Sequence, residues 1–194
     1  MAATKSTTAG CGPVPTTRPL HSLAAIVRAY RKGFQSGAAE ELDSFKRERT
    51  VQGAIRRAAM ARTPDGKRYK HQRRLSAKTR RQVQRKLART EIQFCSTFDE
   101  LHSVLEARVG SVRGVGELML YDTALRIGAR LRLQPSRVYL HRGTRKGARA
   151  LGLNWRVPYL DLVQLPRALR ALEPREIEDC LCIFKSNFAK VPAV

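Results

Sequence analysis

The chain has 194 residues, 42% of them hydrophobic, so it is long enough for one domain with a packed core or for two small ones. Its 38 Lys and Arg against 16 Asp and Glu give a formal net charge of +22, which predicts a polyanionic partner, nucleic acid first. No apolar run approaches the roughly 20 residues of a membrane-spanning helix, so we expect no membrane partner.

The first twenty residues, 1–20, are rich in Thr, Gly and Pro and show no hydrophobic periodicity, so we expect a disordered tail. The first acid is Glu40 and five basic residues precede it, which is also typical of an organellar targeting segment over residues 1–39. The Pro and Gly content of the tail argues against targeting. The sequence therefore favours a cytoplasmic, nucleoid-associated protein.

A basic helical arm is predicted over residues 21–90. An amphipathic helix opens it, a second helical stretch runs from about Ala39 to Arg62, and a strongly basic helix begins at about Ser76. Residues 51–90 hold fourteen Lys and Arg and one acid, Asp65. Because a solvated helix face normally interleaves acids with bases, the unpaired cations favour phosphates as their counter-charge.

One segment of this arm, around His71, combines cations with the ring of Tyr69, a composition that binds phosphates and stacks on a base. A plain linker before the next helix is the alternative. The candidate nucleic-acid-binding residues of the arm are Lys67, Arg68, Lys70, His71, Arg73, Arg74, Arg80 and Arg81.

Beyond residue 90 acids return and the apolar periodicity sharpens, which predicts a compact domain over residues 91–194. Thr97 is the expected N-cap of its first helix, with Glu100 completing a capping box. Thr144 is the expected cap of a later helix, and Pro174 the first residue of a core helix. Since no stretch alternates apolar and polar residues in the manner of a strand, the predicted fold class is all-α.

Two glycines, Gly114 and Gly116, precede an amphipathic helix of this domain. A dinucleotide-binding loop would need a third glycine where Met119 stands, and a phosphate-binding Walker loop would need Gly-Lys-Ser/Thr. Residues 97–129 instead resemble the helix-hairpin-helix motif of DNA-binding proteins, whose hairpin is typically apolar-x-Gly-apolar-Gly. The segment Val112–Gly116 supplies that pattern.

The resemblance implies contacts between the hairpin and the backbone of double-stranded DNA. In that family the N–H groups that open the second helix hold a phosphate, often with a bound monovalent cation, and no other cofactor is implied. A packing hairpin between two helices is the alternative. The candidate contacts are Arg113, Gly114, Val115 and Gly116, with a second phosphate site predicted at Arg142, Thr144, Arg145 and Lys146.

The segment Val138–Leu153 resembles the corresponding stretch of helix-hairpin-helix DNA glycosylases, with counterparts at Val138, His141 and the Leu-Gly-Leu that ends it. The catalytic aspartate of those enzymes has no counterpart, because Tyr139 stands in its place. The hairpin stretch and residues 165–185 are also similar to uncharacterised bacterial proteins, which adds a fold expectation and no function. The prediction is a glycosylase-type helical scaffold with no catalytic residue and no metal site.

These patterns together predict non-catalytic, largely sequence-independent binding of double-stranded DNA through the hairpin and the basic arm. Two alternatives stay open. One is a divergent base-excision DNA glycosylase or repair factor that uses Asp122 or Asp161 as its acid. The other is an RNA-associated or nucleoid structural protein in which charge alone matters.

Overall fold

The computed structural model describes residues 20–191, with Lys70 described by its backbone alone. The predicted disordered tail therefore lies, apart from Leu20, outside the described residues. Most of the described chain is helical, which confirms the all-α class at that coarse level. The described residues also contain a two-stranded sheet, which the sequence did not predict. Within the described residues no helix is both long and apolar enough to cross a membrane.

The elements follow one another as short helices with brief connections. The helices are α1 Leu23–Tyr30, α2 Ser36–Lys46, α3 Val51–Ala59, α4 Ala77–Leu87, α5 Phe98–Val109, α6 Glu117–Leu131, α7 Arg142–Ala150, α8 Pro174–Ile183 and α9 Lys185–Phe188. A π-helical turn, Arg31–Gln35, joins α1 to α2. The strands β1 Val138–Tyr139 and β2 Tyr159–Leu160 pair antiparallel, with Val138 opposite Leu160.

The chain divides into two compact units. The first, here called the split unit, combines the described residues up to Ala39 with those from Ser136 onward, and the second, the central unit, is residues 40–135. This division differs from the predicted one, since the boundary at residues 90 and 91 falls inside the central unit. The predicted arm, residues 21–90, is shared between both units.

The split unit owes its composition to the apolar face of α1. Leu23, Ile26, Val27 and Tyr30 recur at helical spacing and are all buried. They belong to one core with residues of β1, α7, α8, α9 and the α8–α9 junction, among them Val138, Ala148, Ile177, Leu181, Phe184 and Phe188. The Tyr30 hydroxyl donates to the Asp179 carboxylate at 3.1 Å. The first predicted helix of the arm therefore completes a core built from the far end of the chain.

The central unit is a bundle in which α6 packs against α3 and α5, and α4 packs against α3 and α5. The buried face of α3 is mostly alanine, which lets α6 approach closely. The large side chains that fill this core are Phe45, Ile55, Val83, Leu87, Ile92, Leu101, Leu105 and Ile127. The helices predicted for the arm and for the compact domain thus share one core.

The predicted start of α5 is confirmed in its main feature. Thr97 is the N-cap, and its hydroxyl oxygen accepts a hydrogen bond from the Glu100 N–H at 3.1 Å. The Glu100 carboxylate, however, accepts from the Ser96 N–H at 2.8 Å rather than from Thr97. The reciprocal half of the predicted capping box is therefore displaced by one residue.

The predicted cap of α7 is wrong by three residues. His141 is the N-cap, because its ring nitrogen Nδ1 accepts a hydrogen bond from the Gly143 N–H at 3.1 Å. Thr144 occupies the third helical position, where its hydroxyl oxygen accepts from the His141 N–H at 2.7 Å. Pro174 is the first residue of α8, as predicted.

Candidate nucleic-acid interface

The two glycines lie in a tight hairpin between α5 and α6. The Val115 N–H donates to the Val112 carbonyl at 2.9 Å and closes the turn, while the Val112 side chain is buried and anchors it. Gly114 has a φ of +92°, in the left-handed region that a side chain makes costly. Glycine at this position is therefore required by the turn itself.

Gly116 plays a different part from Gly114. It is the N-cap of α6 in an extended conformation, with a φ of −122°, and a methyl group there would have no neighbour within 4 Å. No protein atom therefore crowds the side-chain position of Gly116 at the start of α6. Glu117 in that turn carries a negative charge, which offsets part of the attraction of the helix end for an anion.

The hairpin contacts the basic arm directly. The Thr79 hydroxyl, in the first turn of α4, donates to the Arg113 carbonyl at 3.0 Å. The start of α4 is itself fixed by Ser76, whose Oγ accepts from the Thr79 N–H at 3.0 Å. Two features predicted to lie in separate domains, the hairpin and the most basic helix, are therefore neighbours within the central unit.

The solvent face of α4 is entirely cationic or uncharged. Lys78, Arg81 and Arg85 are exposed at i, i+3 and i+7, and Arg89, just past the helix end, continues the same line. Lys78 and Arg85 are about 10 Å apart along the axis. Among the described residues no carboxylate pairs with these four side chains. We call them the α4 stripe.

Arg80, a predicted contact, lies on the opposite face of α4. Its side chain is buried and donates to the Leu75 carbonyl at 3.0 Å. Burial, followed by the guanidinium groups of Arg68, Arg62 and Arg81, lowers its pKa. Arg80 therefore does not present a charge to solvent, but its surroundings show how densely like charges gather here.

The segment predicted to grip a base is bound to the protein itself. Tyr69 is 1% exposed, and the Arg126 guanidinium lies 3.8 Å from its ring centre, so the predicted stacking of this ring on a base is wrong. His71 Nε2 lies 2.6 Å from the Asp122 carboxylate, and the Gln72 amide donates to the same oxygen at 2.9 Å. These contacts anchor the basic segment to α6.

Arg126 holds this anchor together from inside the central unit. Its Nε donates to the Glu41 carboxylate at 2.8 Å, and another guanidinium nitrogen donates to the side-chain amide oxygen of Gln72 at 3.0 Å. Burial alone would lower its pKa, but the carboxylates of Glu41 and Asp122 more than offset that and raise it. Asp122, one of the two candidate catalytic acids, therefore serves this buried network.

The second predicted phosphate site belongs to the split unit, and only half of it faces solvent. Arg142 and Lys146 are exposed, whereas Thr144 is fully buried. The Arg145 guanidinium donates to the carbonyl oxygens of Trp155 at 3.0 Å and Val157 at 2.8 Å. Thr144 and Arg145 thus support the fold at this end of α7.

Apart from Lys70, whose side chain lies outside the described residues, the predicted side-chain contacts consequently fall into two classes. Those with exposed side chains are Lys67, Arg68, Arg73, Arg74, Arg81, Arg113, Arg142 and Lys146, of which Lys67 pairs with Asp65 at 2.8 Å. Those turned inward are His71, Arg80, Thr144 and Arg145. Lys78, Arg85, Arg89 and Arg149 are also exposed and were not among the predicted contacts, although the spacing of the cations on each helix indicates a common face.

Within residues 20–191 no group of three or more His, Cys, Asp or Glu side chains is placed to hold a metal ion. The other candidate acid, Asp161, is half exposed and lies 3.4 Å from the Arg137 guanidinium. Comparison with known proteins finds no matching family model, no matching curated protein and no matching solved structure. The likeness to the helix-hairpin-helix motif therefore stays an interpretation of the residues themselves.

Proposed function

We propose that the protein binds double-stranded DNA without catalysis and with little sequence preference, through a helix-hairpin-helix surface of the central unit. The single observation that supports this most strongly is the hydrogen bond from Thr79 to the Arg113 carbonyl. It places the open hairpin beside the first turn of a helix whose exposed cations have no acidic partners among the described residues.

The charges indicate how much the hairpin and the α4 stripe each contribute to duplex affinity. Gly116 leaves the backbone of the hairpin accessible, so a phosphate can approach the N–H groups that open α6. Glu117 weakens that site, so most of the affinity comes from the α4 stripe. Contacts with phosphates position a protein on a duplex and carry no sequence information, which is why we expect little sequence preference.

The proposal is tested by measuring duplex affinity at several salt concentrations. Six phosphate contacts give a slope of log affinity against log salt of about −5. Replacing Lys78, Arg81 and Arg85 by alanine should lower the magnitude of that slope by about 3. Alanine is the best helix former, so α4 itself should persist, as circular dichroism would show.

A matched control removes the same charge elsewhere in the central unit. Lys46, the last residue of α2, and Arg47 and Arg49, which precede α3, are exposed and lie away from α4 in sequence. Their replacement by alanine should leave the slope nearly unchanged. An equal loss in both triple variants would mean that net charge alone drives binding and would overturn the proposed surface. Equal affinity for duplex RNA would favour the RNA-associated alternative.

A further inference from the structure

A second cationic line runs along α7 in the split unit. Arg142, Lys146 and Arg149 are exposed at i, i+4 and i+7, which places them on one face of this helix. The opposite face, with Thr144 and Ala148, is buried. The helix contains no acid, and no carboxylate of the described residues pairs with these three cations.

An aromatic ring lies beside this line. Trp155 is partly exposed, with part of its surface packed on the core of the split unit. The guanidinium carbon of Arg156 lies 4.4 Å from the indole centre, and that of Arg149 lies 5.5 Å from it. Arginine and an indole ring at these distances attract each other through the ring's π face.

The loop that carries Trp155 is built to hold it there. Gly152, with a φ of +71°, turns the chain back after α7, and the Leu153 N–H returns to the Ala148 carbonyl at 3.0 Å. Arg145 then donates to two carbonyl oxygens of the loop, at residues 155 and 157. The inward-facing Arg145 thereby fixes the ring beside the charges.

We propose that this surface binds single-stranded nucleic acid, with a base stacked on Trp155 in place of an arginine guanidinium and phosphates on Arg142, Lys146 and Arg149. A cationic groove or ridge beside an aromatic ring is the combination that recognises unpaired bases without sequence preference. A duplex keeps its bases stacked inside and offers only its phosphates. This inference does not depend on the duplex site proposed for the central unit, because its residues all belong to the split unit.

The chain offers a direct probe, since Trp155 is its one tryptophan. We expect a short oligothymidylate to quench the tryptophan fluorescence of the full-length protein in a saturable manner. A duplex of equal length should quench it less at the same bound fraction, measured by anisotropy of a labelled strand. An oligouridylate titration run in parallel distinguishes a preference for DNA from one for RNA.

Variants separate this surface from the α4 stripe. Lys146→Ala with Arg149→Ala should weaken oligothymidylate binding about tenfold, whereas the α4 triple variant should retain the quenching. Arg167→Ala with Arg170→Ala removes the same charge from exposed positions off α7 and should have little effect. Trp155→Phe keeps an aromatic ring packed against the core. This variant should bind oligothymidylate more tightly than Trp155→Ala, as measured by anisotropy.

Two results would overturn the inference. One is oligothymidylate binding, seen by anisotropy, that leaves the fluorescence of Trp155 unchanged. The other is an equal loss of affinity in the α7 and the Arg167, Arg170 double variants. Either result leaves the proposed duplex site standing, because that site is judged by the salt slope of the α4 variants. Conversely, saturable quenching of Trp155 by oligothymidylate, together with unchanged duplex binding by the α4 variants, would overturn the duplex site and leave this inference standing.

Discussion

The hydroxyl of Thr79 donates to the carbonyl of Arg113 across 34 residues of sequence, at a distance of 3.0 Å. This bond ties the glycine hairpin to the most basic helix. A hydrogen bond inside a protein contributes about 1 kcal/mol to stability on average. The Thr79–Arg113 contact therefore holds the start of α4 and the hairpin in one relative position.

Removing that bond should affect stability and binding together. Thr79→Val keeps the shape of the side chain and should lower the free energy of unfolding by about 1 kcal/mol in a urea titration. Duplex affinity should fall severalfold, because the hairpin and the α4 stripe would no longer be held in one geometry. Thr79→Ser keeps the hydroxyl and serves as the control. Unchanged duplex binding by Thr79→Val, despite lower stability, would show that the two surfaces act separately.

The two hairpin glycines should respond differently to alanine. Gly116→Ala places a methyl group in open space at a φ that any residue adopts, so stability should change by less than about 0.5 kcal/mol. Its duplex affinity should nevertheless fall, because the methyl group blocks the backbone. Gly114→Ala should cost about 1–2 kcal/mol of stability, because its φ is +92°.

Thermal unfolding and fluorescence anisotropy of a labelled duplex measure these effects on the same samples. The informative variant is Gly116→Ala, since its fold should be intact. If it binds duplex DNA as tightly as the unmodified protein, the hairpin is a packing turn and the alanine at residue 116 meets no ligand. The α4 stripe would then have to account for binding alone.

Periodic patterns made much of this fold predictable, and long-range contacts made the rest unpredictable. The buried faces of α1 and α5 follow from apolar residues at helical spacing. The N-cap at Thr97 and the start of α8 at Pro174 follow from local chemistry. The two strands escaped prediction because two residues each are too short to show alternation. What α1 packs against was equally hidden, because its partners begin at residue 138.

The candidate site shows the same limit. A sequence presents every arginine alike, but Arg126 is buried because Glu41, 85 residues away, meets it. Arg81 and Arg80 are neighbours in sequence, yet one is exposed and the other buried, since successive residues of a helix point about 100° apart. The cationic character of the surface was predictable, whereas the choice of which cations face solvent required the tertiary contacts.

The division into units predicts which fragments fold. Residues 40–135 contain α3, α4, α5 and α6, with both Glu41 and Arg126, and should unfold cooperatively in urea as an isolated fragment. Residues 91–194 lack α1, α3 and α4, which exposes two incomplete cores and leaves Arg126 without Glu41. That fragment should be insoluble or lack dispersed amide signals in an NMR spectrum.

The matched comparison is a pair of fragments with nearly equal length, 96 and 104 residues, judged by the same measurements. A cooperative transition for residues 91–194 would show that the domain predicted from the sequence is self-sufficient. It would also mean that the apolar face of α1, with Leu23, Ile26, Val27 and Tyr30, is dispensable for the core. Cooperative unfolding of residues 91–194 would therefore contradict the division into the split and central units.

The protein should neither excise bases nor nick DNA. Tyr139, which stands where glycosylases place their aspartate, is buried in β1, with its ring centre 6.2 Å from that of Tyr159. Without a carboxylate the positive charge that develops on the sugar goes unstabilised, and losing one such electrostatic contact typically costs a hundredfold to about a thousandfold in rate. We therefore expect no product from duplexes carrying uracil, oxidised guanine, alkylated adenine or an abasic site.

Alkali-treated products resolved on a denaturing gel provide the measurement, with Asp122→Asn and Asp161→Asn run beside the unmodified protein. Tyr139→Asp buries a charge, so its folding must be checked by circular dichroism before its activity is judged. Turnover that appears only in this variant would identify the scaffold as a glycosylase that has lost its acid. Product formed by the unmodified protein would contradict the absence of catalysis. If Asp122→Asn and Asp161→Asn form product as well, both candidate acids are excluded, because neither carboxylate is then needed for the reaction.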